Sequence, residues 1–140
     1  MNIALFLIPM AVGILTQISK ALLNRNWLTE GKIHGHYLPR YGGMPSAHTA
    51  FAFSLATLAI LAEGVQSFSF AIASALVILL LDDALRLRVY LSRHGEALQQ
   101  LIQRVPEPER DVFPHLEQRL GHSLAEVAVG AVVGVLFTIL

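Results

Sequence analysis

The chain has 140 residues, of which 54% are hydrophobic and 14% charged, and its formal net charge is zero. A soluble domain is about a quarter charged, so this composition fits a chain whose solvent is partly lipid, and the lack of a basic run excludes a nucleic-acid binder. There is no cysteine, which excludes disulfides and thiolate metal sites.

A spanning helix needs about 20 mostly apolar residues. Four segments come near that length, at about residues 3–23, 45–62, 68–90 and 123–140. The first, IALFLIPMAVGILTQISKALL, has no Lys or Arg before Lys20. A secretory signal starts with basic residues, so this segment reads as a retained span. The polar loop NRNWLTEGKIHGHYLPRYGG follows. Its His34 and His36 have no neighbouring acids or cysteines, so no metal site is expected there. The second span begins at PSAH and is joined to the third by the short EGVQSF. Asp82 and Asp83 interrupt the third span late. Beyond it, Leu98, Leu101, Ile102 and Val105 recur at helical spacing, which predicts an amphipathic helix at the membrane interface. PEPER ends that helix, and the fourth span runs to Leu140.

The expected fold is therefore all-α: a single membrane-embedded domain over residues 1–140, with about four transmembrane helices and one interfacial amphipathic helix. Each span is slightly short, which calls for a thin or tilted arrangement or for shelter in a homo-oligomer. The ten Lys and Arg residues fall in or beside the two polar loops, and the short connection has none. The positive-inside rule then places both loops in the cytoplasm, on an inner or plasma membrane.

Three clusters carry chemistry. In RYGGMPSAH, the glycines permit a tight turn and Pro45 suits a first helical turn. A helix N-terminus is an anion site, to which Ser46 adds a hydroxyl and near which His48 sits. The same residues also read as a plain capped helix start with an interfacial histidine. In GHSLAEVAVGAVVG, His122 and Glu126 are four apart, which would put imidazole and carboxylate on one helix face. Gly130 and Gly134 continue that step and invite close helix packing. In LDDALRLR, Asp82, Asp83, Arg86 and Arg88 form either a neutralising ion-pair cluster or a guanidinium clamp for an oxyanion. Lys20 either snorkels to the headgroups or aims its ammonium at a phosphate.

GGMPSAH together with LGHSLAEVAVGAVVG resembles the divergent branch of the type 2 phosphatidic acid phosphatase family, relatives of the vanadium haloperoxidases. The resemblance runs from QISK to VGVL. It implies that His48, in Pro45-Ser46-Ala47-His48, is the general acid that protonates the leaving oxygen. It implies that His122 is the nucleophile on phosphorus and Glu126 its orienting acid. Asp83-Ala84 followed by Arg88 is similar to the branch's Asp-Ala-x-x-Val-Arg, which makes Arg88 the phosphate clamp with Asp83 orienting it. The main family's first motif, Lys-x6-Arg-Pro, is altered here: Lys32 and Arg40 have seven residues between them and Tyr41 follows. Lys20, in a Gln-x-x-Lys setting, supplies the ammonium instead, with Arg40 as a further phosphate ligand.

The function these features imply is a metal-independent lipid-phosphate phosphatase that works through a phosphohistidine. Its substrate would be phosphatidic acid, phosphatidylglycerol phosphate or a prenyl pyrophosphate, drawn from the bilayer. No cofactor is expected, and vanadate is expected to inhibit as a phosphate mimic. The alternatives are a non-catalytic protein that binds or moves anionic lipids on the same cationic pocket, and a vanadate-dependent halide oxidase.

Overall fold

The computed structural model describes residues 3–23, 32–33, 36–37, 43–106, 109, 113 and 121–140. Helix α1 is Ile3–Leu23, α2 Ala47–Glu63, α3 Phe68–Asp82, α4 Arg88–Ile102 and α5 Leu124–Ile139. A π-helical turn, Asp83–Leu87, joins α3 to α4. Two two-residue strands, β1 (Lys32–Ile33) and β2 (His36–Tyr37), pair antiparallel between α1 and α2. The fold is a helical bundle in which α2 lies at the centre, packed on α1, α3 and α5.

The interior is small and polar, and the exterior is large and apolar. Among the described residues the largest fully buried side chains are Pro9, Ser46 and Ser54. Thr16, Thr49, Lys20, His122 and Glu126 are also buried, whereas Leu7, Leu15, Ile78, Leu79 and Phe137 are more than half exposed. A water-soluble core would do the reverse. Lipid removes the hydrophobic drive between helices, so small residues and side-chain hydrogen bonds hold them together. The face of α5 that meets α2 shows both devices. A Cβ on Gly130 would lie 2.5 Å from the Ser46 carbonyl, and one on Gly134 would overlap the Ala50 carbonyl. One turn further along, Ser54 and Thr138 share a 2.6 Å hydrogen bond between their hydroxyls.

Three helix starts are built locally. Ser46, Ser67 and Ser123 cap α2, α3 and α5 with their hydroxyls. Gly43 and Gly64 have φ of 87° and 88°, which only glycine adopts readily.

The amphipathic segment is not a separate element. Through the π-turn, α4 continues α3 as one helix, Phe68–Ile102, of 35 residues. At 1.5 Å per residue it is about 50 Å long, well beyond the ~30 Å hydrocarbon core of a bilayer. Among the described residues this helix alone is long and apolar enough to cross a membrane; the apolar stretches in α1, α2 and α5 are shorter. No residue of α4 is buried.

Candidate active site

Lys20, Ser46, His48, Asp83, Arg88, His122 and Glu126 come from four separate stretches of sequence, and the fold gathers them at one end of the bundle. Two backbone hydrogen bonds assemble that end. The Ser46 N–H donates to the Glu126 carbonyl at 3.1 Å, which ties the start of α2 to the first turn of α5. The His122 N–H donates to the Ala84 carbonyl at 3.3 Å, which ties the segment before α5 to the π-turn. Gly121 lets this second junction close, because a Cβ there would lie 2.9 Å from Val89 Cγ2.

His122 is 7% exposed, and neither of its ring nitrogens has a hydrogen-bond partner among the described residues. Both nitrogens are fully covered. An imidazole always offers at least one donor or acceptor at each nitrogen, and leaving such a group unpaired costs about 1–3 kcal/mol. The ring's pKa is held below the ordinary 6.5, first by burial and then by the positive charge of Lys20; Glu126 opposes the shift, while Arg88 and His48 add to it. The ring is therefore neutral at pH 7. The same set of influences locates the ring: Lys20, Glu126, Arg88 and His48 all lie within electrostatic reach of it. Arg88, Lys20 and Asp83 in turn act on His48.

Glu126 is placed differently from the sequence expectation. The spacing of four assumed that His122 lies within the helix, but α5 begins at Leu124 with Ser123 as its cap. His122 is therefore off the helix, and no hydrogen bond joins its ring to Glu126. The carboxylate instead completes a capping box: Glu126 Oε2 accepts from the Ser123 N–H at 2.9 Å, and the Glu126 N–H donates to Ser123 Oγ at 3.2 Å. Its charge still acts on the imidazole.

Ser46 also differs from expectation. It is fully buried, and its Oγ accepts from the Thr49 hydroxyl at 2.9 Å and the Thr49 N–H at 3.5 Å. It faces its own helix rather than an open phosphate position. Thr49, which the sequence reading did not single out, completes this cap. His48 is exposed in the first turn of α2.

Lys20 is 6% exposed on the stripe of α1 that also carries Pro9, Val12 and Thr16. Its methylenes pack near Gly43, where a Cβ would lie 3.9 Å from Cδ and Cε. The ammonium has no hydrogen bond or ion pair among the described residues. An intramembrane cation marks function by default.

The π-turn explains the arginine. Sequence spacing offered Asp82–Arg86 and Asp83–Arg86. The first forms, exposed, at 2.9 Å. Asp83 instead meets Arg88, with Oδ2 accepting from Nε at 2.6 Å. Residues five apart in an α-helix point about 140° away from each other. Here the Arg88 N–H bonds the Asp83 carbonyl, so the turn is widened and the two side chains align. Such π-turns are frequent at functional sites. Arg40 and His34 lie outside the described residues. Among the described residues there is no group of three metal-ligating side chains.

The sequence profile of the Divergent PAP2 family matches residues 1–137. The chain is 26% identical over 142 residues to the uncharacterized membrane protein YuiD of Bacillus subtilis (strain 168), an alignment covering 93% of this chain and 88% of that one. No solved structure matches it. With the profile covering nearly its whole length, the chain belongs to the Divergent PAP2 family of phosphatase-related membrane proteins.

Proposed function

We propose that the protein is a metal-independent phosphatase of lipid phosphate monoesters. The observation that carries this reading is His122: a neutral imidazole, buried, with both nitrogens unpartnered among the described residues, next to Lys20 and Arg88. An unpartnered buried ring calls for an explanation, and a neutral imidazole is what a phosphoryl acceptor needs. Both nitrogens are covered, so phosphate binding has to part the segments over the ring.

His122 attacks phosphorus, forming an N–P bond as the bond to the lipid oxygen breaks. His48, on the open side of the first turn of α2, gives a proton to the departing alkoxide. It then takes a proton from water, whose oxygen displaces His122 and releases inorganic phosphate. Lys20 and the Asp83-braced Arg88 hold the phosphate oxygens, and one lost donor of this kind costs about 10²–10³ in rate. Glu126 favours the positive charge that develops on His122. No cofactor enters the scheme, and vanadate inhibits by occupying the phosphate position.

The candidate substrates are phosphatidic acid, phosphatidylglycerol phosphate and prenyl pyrophosphates. The positive-inside rule supports a site on the cytoplasmic side of an inner or plasma membrane, with substrate taken from the inner leaflet. The test is phosphate release from phosphatidic acid by wild-type protein and by His122→Ala in vesicles. Loss of release in the variant, with anionic-lipid binding retained, is the expected result. Full turnover by the variant contradicts the reading and favours a protein that only binds or moves anionic lipids.

A further inference from the structure

An apolar slot of about 240 Å³ lies between α1 and α5, beneath the start of α2. Val12 and Leu15 of α1 and Val133 and Phe137 of α5 form its sides, with Thr16, Ser19 and Pro45 completing the lining. We infer that this slot seats a single hydrocarbon chain of the substrate, and that the chain's headgroup end emerges at Lys20 and the start of α2.

Three observations support this occupant. First, the slot is chemically hydrocarbon. Its two polar lining residues turn their hydroxyls into their own helix, Thr16 to the Val12 carbonyl at 2.6 Å and Ser19 to the Thr16 carbonyl at 2.8 Å. Neither offers its proton to an occupant, so a polar ligand would go unsatisfied there. Second, the slot is continuous with the cationic end. Ser19 precedes Lys20, and Pro45 precedes Ser46 in the segment tied to Glu126. From Lys20 to Val12, and from Glu126 to Phe137, the helices rise about 12–16 Å, the reach of a mid-length alkyl chain. Third, Leu15 and Phe137 are each more than half exposed, so the slot opens sideways toward lipid. Its volume is below the ~300–1,000 Å³ of drug-sized sites, which leaves room for one chain rather than two.

Lipid tails are as apolar as this lining, so the slot adds little affinity over the bilayer. It adds position, by fixing the ester oxygen against the phosphate site. This rests on the phosphatase reading above for what happens at the headgroup, but not for where the chain sits.

The experiment uses the full chain in nanodiscs and a long-chain alkyl monophosphate carrying a diazirine midway along its chain. Photolysis is expected to label Val12, Val133 or Phe137 in preference to the lipid-facing Ile78 and Leu79 of α3. The matching long-chain alcohol, which lacks the phosphate, is expected to label both faces alike. Equal labelling of both faces by the phosphate probe overturns the inference. In a second arm, Val133→Trp fills the slot and lowers the preference for a long-chain over a butyl monophosphate by about ten- to a hundredfold in kcat/KM; an unchanged preference in folded protein overturns it. Selective labelling by a wild-type protein that hydrolyses neither monophosphate would sink the phosphatase reading and leave the slot standing.

Discussion

His122 is neutral at physiological pH because burial and the charge of Lys20 oppose its protonation. A lowered pKa in the folded chain sets the direction of the pH dependence. Well above pH 6.5 the ring is unprotonated whether the chain is folded or not and contributes no pH dependence. Below 6.5 the unfolded chain protonates first, so stability falls with acidification, and nucleophilicity is lost only lower still. The acid limb of kcat/KM that belongs to the nucleophile should therefore lie below 6.5; a limb above it in a pH–rate profile contradicts the assignment. His122→Asn should lower phosphate release by about 10⁴-fold or more. Arg88→Ala should cost about 10²–10³-fold, while Arg86→Ala, which breaks only the exposed pair with Asp82, should leave turnover unchanged. The histidines and Lys20 were legible in the sequence because their residue types are costly at a membrane boundary. The partner of Glu126 was not, because a spacing of four carries a contact only inside a helix, and Ser123 starts the helix one residue too late.

Among the elements, α5 and α2 meet most closely, and the Gly130–Gly134 step foretold that approach. Gly134→Ala drives a Cβ into the Ala50 carbonyl, which is backbone and cannot rotate away. The expected cost is about 1–3 kcal/mol, seen as a lower unfolding temperature in detergent. Val132→Ala, on the exposed face of the same helix, should change little. Equal effects of the two would show that the glycine face is not the interface. The π-turn, by contrast, left no sign in LDDALRLR. A widened turn is selected by what packs on it, here the His122 N–H at Ala84 and Gly121 against Val89, and these lie more than thirty residues further along. The α3–α4 helix was divided in the sequence reading for a related reason, since a change from apolar to amphipathic character resembles a boundary even where the backbone continues.

At the scale of the whole molecule, the small polar interior and apolar exterior fit a bundle immersed in lipid, and its composition announced this from the start. The proposed sidedness rests on the distribution of the cations. The chain has no cysteine, so single cysteines report cleanly. In intact cells a membrane-impermeant thiol reagent should label Val65→Cys, in the exposed α2–α3 connection, and spare Arg104→Cys beyond α4. The reverse pattern inverts the topology. The most direct test of the central claim is to quench wild-type protein during turnover of a radiolabelled lipid phosphate and map the bound label by mass spectrometry. An acid-labile, alkali-stable phosphate on His122, absent from His122→Asn, is the result the account predicts. Phosphate release at full rate with no label on His122, or with label on another residue, would contradict it.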